Sequence, residues 1–247
     1  MAFDGTLTQN FLVAVREAFE AFLVVGILLG MASKLGHAEG RRPLWLGALL
    51  GFLVSALAGV LVVAGMREAV AEGGEAVDAI GSLVAFALLT YMVVWMQRHT
   101  QDLIGALHGR TKEALAGGKA ATLVGMAFVA VVREGVETAV FVATSPASTA
   151  SLLLAVAGGI AVAAGLAWLA FAGVVRLSMR TFFLATGSLL VLFAAYILWK
   201  GLAEAVEEGL RLGEAGGLIV PAVAILYATG MLAWLLRPLW RRPKAPA

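Results

Sequence analysis

Seven blocks of apolar residues, each long enough to cross a bilayer as a helix, leave this chain little choice of fold. They run approximately Thr8–Ser33, Leu44–Met66, Val77–Met96, Ala120–Thr144, Ser151–Val175, Phe182–Gly201 and Leu218–Leu236. A helix crosses the hydrocarbon core with about 20 residues. The blocks are continuous rather than alternating, and inside lipid only helices and closed barrels satisfy their own backbone, so strands are excluded. Of the 247 residues 61% are hydrophobic and 14% charged, where a soluble domain carries roughly 25% charged. The expectation is an all-α integral membrane protein of seven transmembrane helices, with no nucleic-acid partner and the lipid bilayer as its solvent. No Lys or Arg precedes Arg16, so the N-terminal segment is read as the first span rather than as a cleavable leader.

The charges orient it. Thirteen of the 18 basic residues fall on one side: Lys34, Arg41 and Arg42; Arg98, Arg110, Lys112 and Lys119; Arg176 and Arg180; and Arg237, Arg241, Arg242 and Lys244. By the positive-inside rule that side is cytoplasmic, which puts the N-terminus outside and the C-terminus inside. Asp4, Glu68, Glu72, Glu75, Asp78, Glu204, Glu207, Glu208 and Glu214 gather on the other side, where they would concentrate cations. Trp45, Trp95, Trp199, Trp234 and Trp240 lie near block ends, the depth that amphipathic rings prefer.

The chain also repeats itself. Phe11-Leu-Val-Ala-Val-Arg-Glu-Ala-Phe-Glu20 matches Phe128-Val-Ala-Val-Val-Arg-Glu-Gly-Val-Glu137, and Gly81-Ser-Leu83 recurs as Gly187-Ser-Leu189. Three spans separate the copies, so the second copy crosses in the opposite sense. That is a 3+3 inverted-topology repeat with a C-terminal seventh helix, an architecture that places binding sites near the midplane of transporters. The expected organisation is one membrane domain over residues 1–247. Residues 1–100 form the first repeat, 101–119 a cytoplasmic connector, 120–210 the second repeat, and 211–247 the seventh helix with a basic cytoplasmic tail.

Within the first and fourth spans lie Arg16-Glu17-x-x-Glu20 and Arg133-Glu134-x-x-Glu137. A charge at mid-membrane costs about 2.5–3.5 kcal/mol even on the lenient insertion scale, so these groups face protein or a cavity. Residues three and four apart share a helix face, and each motif directs its carboxylates into one space. A helix-packing ion pair is the plainer reading of a lone Arg–Glu pair. Here two arginines face four glutamates, and the excess negative charge in low dielectric calls for protons or a bound cation. An all-oxygen donor set suits a hard, highly charged ion. The chain has no Cys, and His37, His99 and His108 all fall in predicted cytoplasmic segments, which excludes thiolate sites and transmembrane haem ligation. Ser145 has no His or Lys placed to activate it, so an enzyme is not expected.

These motifs resemble those of a known family. Two inverted copies of Arg-Glu-x-x-Glu, with Arg176-Leu-Ser-Met-Arg-Thr-Phe-Phe-Leu-Ala-Thr-Gly187 and the Leu-Leu-Val-Leu-Phe-Ala-Ala195 run, resemble the oxidase-dependent iron transporter family. It includes the fungal high-affinity iron permeases and the permeases of bacterial ferrous-iron uptake systems. The resemblance implies import of ferric iron across the cytoplasmic (inner) membrane, with iron as the transported substrate and no organic cofactor. It implies Glu17, Glu20, Glu134 and Glu137 as ligands, Arg16 and Arg133 as supporting groups, and a separate extracytoplasmic oxidase or iron-binding protein as partner. Two positions depart from the family pattern: Ala18 stands for the usual Gly, and Ala203 for a His that often precedes Glu204 and Glu207. Those two glutamates are a candidate outer entrance site. The alternatives are a transporter of the same fold for lead, manganese or another divalent ion, and a non-transporting membrane partner of an oxidase.

Overall fold

The computed structural model describes residues 5–143, 145, 148–173, 179–206 and 213–240. Among the described residues there are six α-helices and one short 3-10 turn: α1 (Gly5–Lys34), the turn Ala38–Gly40, α2 (Arg41–Ala116), α3 (Ala120–Ala143), α4 (Thr149–Phe171), α5 (Met179–Ala205) and α6 (Gly213–Trp240).

Four stretches are long and apolar enough to cross a membrane by length and composition: Ala38–Gly65, Thr149–Phe171, Leu184–Ala203 and Gly217–Arg237, with a shorter apolar helical stretch at Ile80–Trp95. The most exposed side chains on these elements are large and apolar, among them Leu57, Val60 and Leu61 on α2, Leu154 on α4, and Leu218 and Leu226 on α6. A surface of that kind is matched to lipid rather than water. The protein is therefore a multi-pass membrane protein. At 30 and 24 residues α1 and α3 also have the length to cross, and their charged motifs set them apart from the other four.

Six α-helices thus stand where seven were expected. The second and third apolar blocks, Leu44–Met66 and Val77–Met96, and most of the expected connector lie on the single 76-residue α2. Its sequence gives the physical reason. After Pro43 in the first turn it contains no proline, and Arg67–Ala76, between the second and third apolar blocks, supplies three Ala, three Glu and one Arg, which favour helix and outweigh Gly73 and Gly74. The helix stops where Gly117 and Gly118 (φ +61°) let the chain turn, with the Lys119 amide closing back on the Ala114 carbonyl at 3.0 Å. Gly36 (φ +75°) ends α1 in the same way, the His37 amide donating to the Ala32 carbonyl at 3.0 Å.

The chain divides into two compact units. The first comprises Met1–Glu68 and His99–Arg176, which brings together α1, the two ends of α2, α3 and α4. At its centre is α1, buried at Val13, Ala14, Phe19, Leu23 and Leu28. It runs parallel to α4, and contact is so close at Gly159 that a β-carbon there would lie 2.7 Å from Ala14 Cβ and 2.9 Å from the Phe11 carbonyl oxygen. The start of α2 lies along α3 in the same fashion. Gly47 abuts the Val124 carbonyl, a β-carbon on Gly51 would come within 2.9 Å of the Phe128 carbonyl oxygen, and Ser55 abuts Gly135. Small residues every fourth position let backbones meet where lipid offers no hydrophobic drive for association. Towards the Lys34 end of α1, Leu28, Ala32, Leu44, Leu123 and Ala127 close around Ala114 and Leu115. One face of the expected cytoplasmic connector is therefore core, with Thr111 also fully buried.

The second unit comprises Ala69–Arg98 and Leu177–Ala247. There the middle of α2 meets α6 through Thr90 Oγ1 and Tyr227 Oη, 2.7 Å apart, through an edge-on Phe86–Tyr227 ring contact at 4.8 Å, and through Gln97 Nε2 donating to the Leu235 carbonyl at 3.3 Å. A β-carbon on Gly187, in the recurring Gly-Ser-Leu, would sit 3.4 Å from Leu235.

Candidate metal centre

Both charged motifs occupy the first unit. Arg16, Glu17 and Glu20 lie at the middle of α1, and Arg133, Glu134 and Glu137 near the middle of α3. The two helices are antiparallel: Asn10 pairs with Ser145 at one end, while Leu28 packs with Leu123 and Ala127 at the other. That alignment carries the motifs to the same level.

One carboxylate oxygen from each of Glu17, Glu134 and Glu137 lies within 4.8 Å of the others. An ion held by metal–oxygen bonds of about 2.0–2.6 Å separates its ligand oxygens by about 3–5 Å, so the three need little movement to share one. Glu20, expected as a fourth member, is not in this group. Its Oε1 lies 3.3 Å from Arg16 Nε, and Arg16 also approaches Glu17 at 3.9 Å. On α3, Arg133 Nε is 3.0 Å from Glu137 Oε1 and 3.7 Å from Glu134 Oε1.

Burial differs between the motifs. The side chains of Arg16 and Glu17 are 2% and 1% exposed, against 28% and 33% for Arg133 and Glu137. Neither oxygen of Glu17 has a hydrogen-bond partner, nor has Oε2 of Glu134. A buried carboxylate without donors is costly, and a positive charge beside it offsets that cost.

Residues not singled out in the sequence extend the seam. Asn10 is 1% exposed and Gln9 8% exposed, and Asn10 Nδ2 donates to Ser145 Oγ at 2.8 Å. The signal was present, because Asn10 stands two helical turns before Glu17 on the same face. Of the candidate entrance pair, Glu207 lies outside the described residues, and Glu204 is described only as backbone near the end of α5.

Residues 7–236 match the Iron permease FTR1 family. An uncharacterized protein of Archaeoglobus fulgidus is 33% identical over 79% of this chain and 69% of its own length. Ferrous iron permease EfeU of Escherichia coli O6:H1 is 27% identical over 96% of this chain and 87% of its own. The protein of that name from Yersinia pestis is 26% identical over 96% and 85%. No solved structure matches. With the family matched over nearly its whole length, the chain belongs to the iron permease FTR1 family.

Proposed function

We propose that this protein is an iron permease that moves iron across the membrane by way of the glutamates of α1 and α3. The observation that carries the reading is the convergence of Glu17, Glu134 and Glu137, with Glu17 buried and without a hydrogen-bond donor. Glu20, held by Arg16, adds the fourth carboxylate beside the ion without leaving its arginine, and Glu204 and Glu207 form the outer entrance. Transport, rather than a chemical conversion, is the activity.

The topology we propose keeps seven crossings, with the N-terminus outside and the basic C-terminus in the cytoplasm. The two apolar blocks of α2 each make one crossing, since Leu44 near its start packs with Ala114 and Leu115 near its end, and a straight helix of 76 residues, about 114 Å long, would hold them far apart. The antiparallel α1 and α3 are what an inverted repeat requires. So is the way each repeat divides, two predicted crossings to one compact unit and the third to the other. The membrane is the cytoplasmic membrane and the direction is inward, from an acidic outer face towards a basic inner one.

Ferric iron suits the donor set best, because oxygen ligands without nitrogen or sulfur favour the harder ion. The names of the Escherichia coli and Yersinia pestis relatives favour ferrous iron, and an oxidase or iron-binding partner on the outer face would decide which form is delivered. The test is radioactive iron uptake into proteoliposomes by wild type, Glu17→Gln and Glu137→Gln, with ferric and ferrous iron and with manganese and lead as competitors. Loss of uptake in folded variants is expected. Uptake unchanged in both variants would refute the carboxylate pathway, and stronger competition by manganese or lead than by iron itself would reassign the substrate.

A further inference from the structure

The two motifs are alike in sequence and unlike in surroundings. Arg16 is enclosed at 2% exposure and engages Glu20, which is not one of the three converging carboxylates. Arg133 retains 28% of its side-chain exposure and lies against Glu134 and Glu137, two of the three carboxylates that converge. The third, Glu17, meets no hydrogen-bond donor. One guanidinium is thus locked beside the cluster, and the other sits on its ligands from a side that is open.

We propose that Arg133 is a tethered, displaceable cation: it holds Glu134 and Glu137 while the centre is empty and swings away as the metal arrives, whereas Arg16 stays as the fixed counter-ion of Glu20. The proposal rests on the reading of this cluster as the iron site. A guanidinium touching the ligand oxygens repels a metal ion in proportion to the metal's charge. Enclosed as it is, Arg16 has no room to relieve that repulsion, and Arg133 has. The return of Arg133 to Glu134 and Glu137 then competes with the bound metal. Three carboxylates with no competing cation would bind a multivalent ion too firmly for rapid passage, and passage requires a site weak enough to leave. Arg133 is therefore a positioning residue that tunes exchange, and not itself a ligand.

The test compares equilibrium binding of iron, ferric as a soluble chelate and ferrous under anaerobic conditions, with the maximal uptake rate, in wild type, Arg133→Gln, Arg133→Lys and Arg16→Gln. Arg133→Gln is expected to bind iron roughly three- to fivefold more tightly, the scale of a partly exposed ion pair, and to transport it more slowly by a similar factor. Arg133→Lys, which keeps the charge on a long arm, should restore both values towards wild type. Arg16→Gln should chiefly lower folded yield. If Arg133→Gln fails to fold, Arg133→Cys in this cysteine-free chain gives the same comparison before and after a thiol reagent adds an ammonium group, which should weaken binding and quicken uptake. Binding that is unchanged or weaker when the charge is removed overturns the proposal, because a purely structural Arg133 has no reason to trade affinity against rate. A wild type that binds no iron overturns the site reading, and this inference with it.

Discussion

Glu17 of α1 and Glu134 of α3 face each other across an antiparallel helix pair, with carboxylate oxygens within 4.8 Å and with oxygens on both that no donor reaches. Two buried acids so placed repel each other and are poorly solvated, and a cation between them removes both costs. Arg16 at 3.9 Å from Glu17 and Arg133 at 3.7 Å from Glu134 offset that negative charge only in part.

Removing one of these carboxylates should separate binding from folding. Glu17→Gln keeps the shape and deletes a charge that lacks donors, so stability should equal or exceed wild type by up to about 2 kcal/mol. Iron affinity should fall by at least about a hundredfold, more than is typical when only a supporting group is lost. Thermal unfolding in detergent beside equilibrium iron binding checks both.

Glu20 and Glu137 should behave in opposite ways. Glu20→Gln strands the enclosed Arg16, and breaking a buried ion pair costs about 3–5 kcal/mol. Glu137 is one-third exposed, so Glu137→Gln should cost about 1 kcal/mol or less while impairing uptake. Melting temperatures of the two variants, measured side by side, should differ by several degrees. Equal stabilities would contradict the asymmetry between the motifs.

Binding should weaken in acid. Metal and protons compete for the same carboxylate oxygens, and the metal takes the deprotonated form. Iron affinity is therefore expected to fall steadily as pH is lowered through the range in which the cluster takes up protons. Iron titrations across a pH series check the sign, and an affinity that rises on acidification would exclude carboxylate ligation.

The α1–α4 contact should tolerate no added carbon. Gly159→Ala places a methyl 2.7 Å from Ala14 Cβ and 2.9 Å from the Phe11 carbonyl oxygen, and overpacking of this kind costs about 1–3 kcal/mol. Gly165→Ala on the same helix meets nothing within 4 Å and should be near neutral. Folded yield and melting temperature should rank the two variants in that order.

Loss of the Asn10–Ser145 hydrogen bond should be felt without abolishing the centre. Asn10→Ala leaves Ser145 Oγ without this donor, and a bond of this kind contributes about 1 kcal/mol. A small drop in melting temperature with iron affinity retained is the expected result in detergent.

Much of this protein follows from local properties of the chain. Block length and hydropathy specify membrane helices because the bilayer tests every twenty residues or so independently of the rest. The duplicated motif specifies where charge must be enclosed, because no lipid-facing position tolerates Arg16-Glu17-x-x-Glu20. Its similarity to the iron permeases was legible from the same residues, and the family match over residues 7–236 bears it out.

What the sequence left undecided depends on neighbours. Identical spacing gives both motifs the same ion pair, Arg16–Glu20 and Arg133–Glu137, and no hint that Glu137 also joins Glu17 and Glu134 while Glu20 does not, since that choice is made by the helices packed around each motif. Breaks in hydropathy after Met66 and Met96 read as loops, yet a chain without proline there continues as helix through α2. Thr111, Ala114 and Leu115 sit in a charged segment that looks solvated, and they are buried because α1 and α3 present Leu28, Ala32 and Leu123 to them. Periodicity and hydropathy are written residue by residue. Burial and pairing belong to contacts between residues far apart in the chain, and only the tertiary structure supplies those.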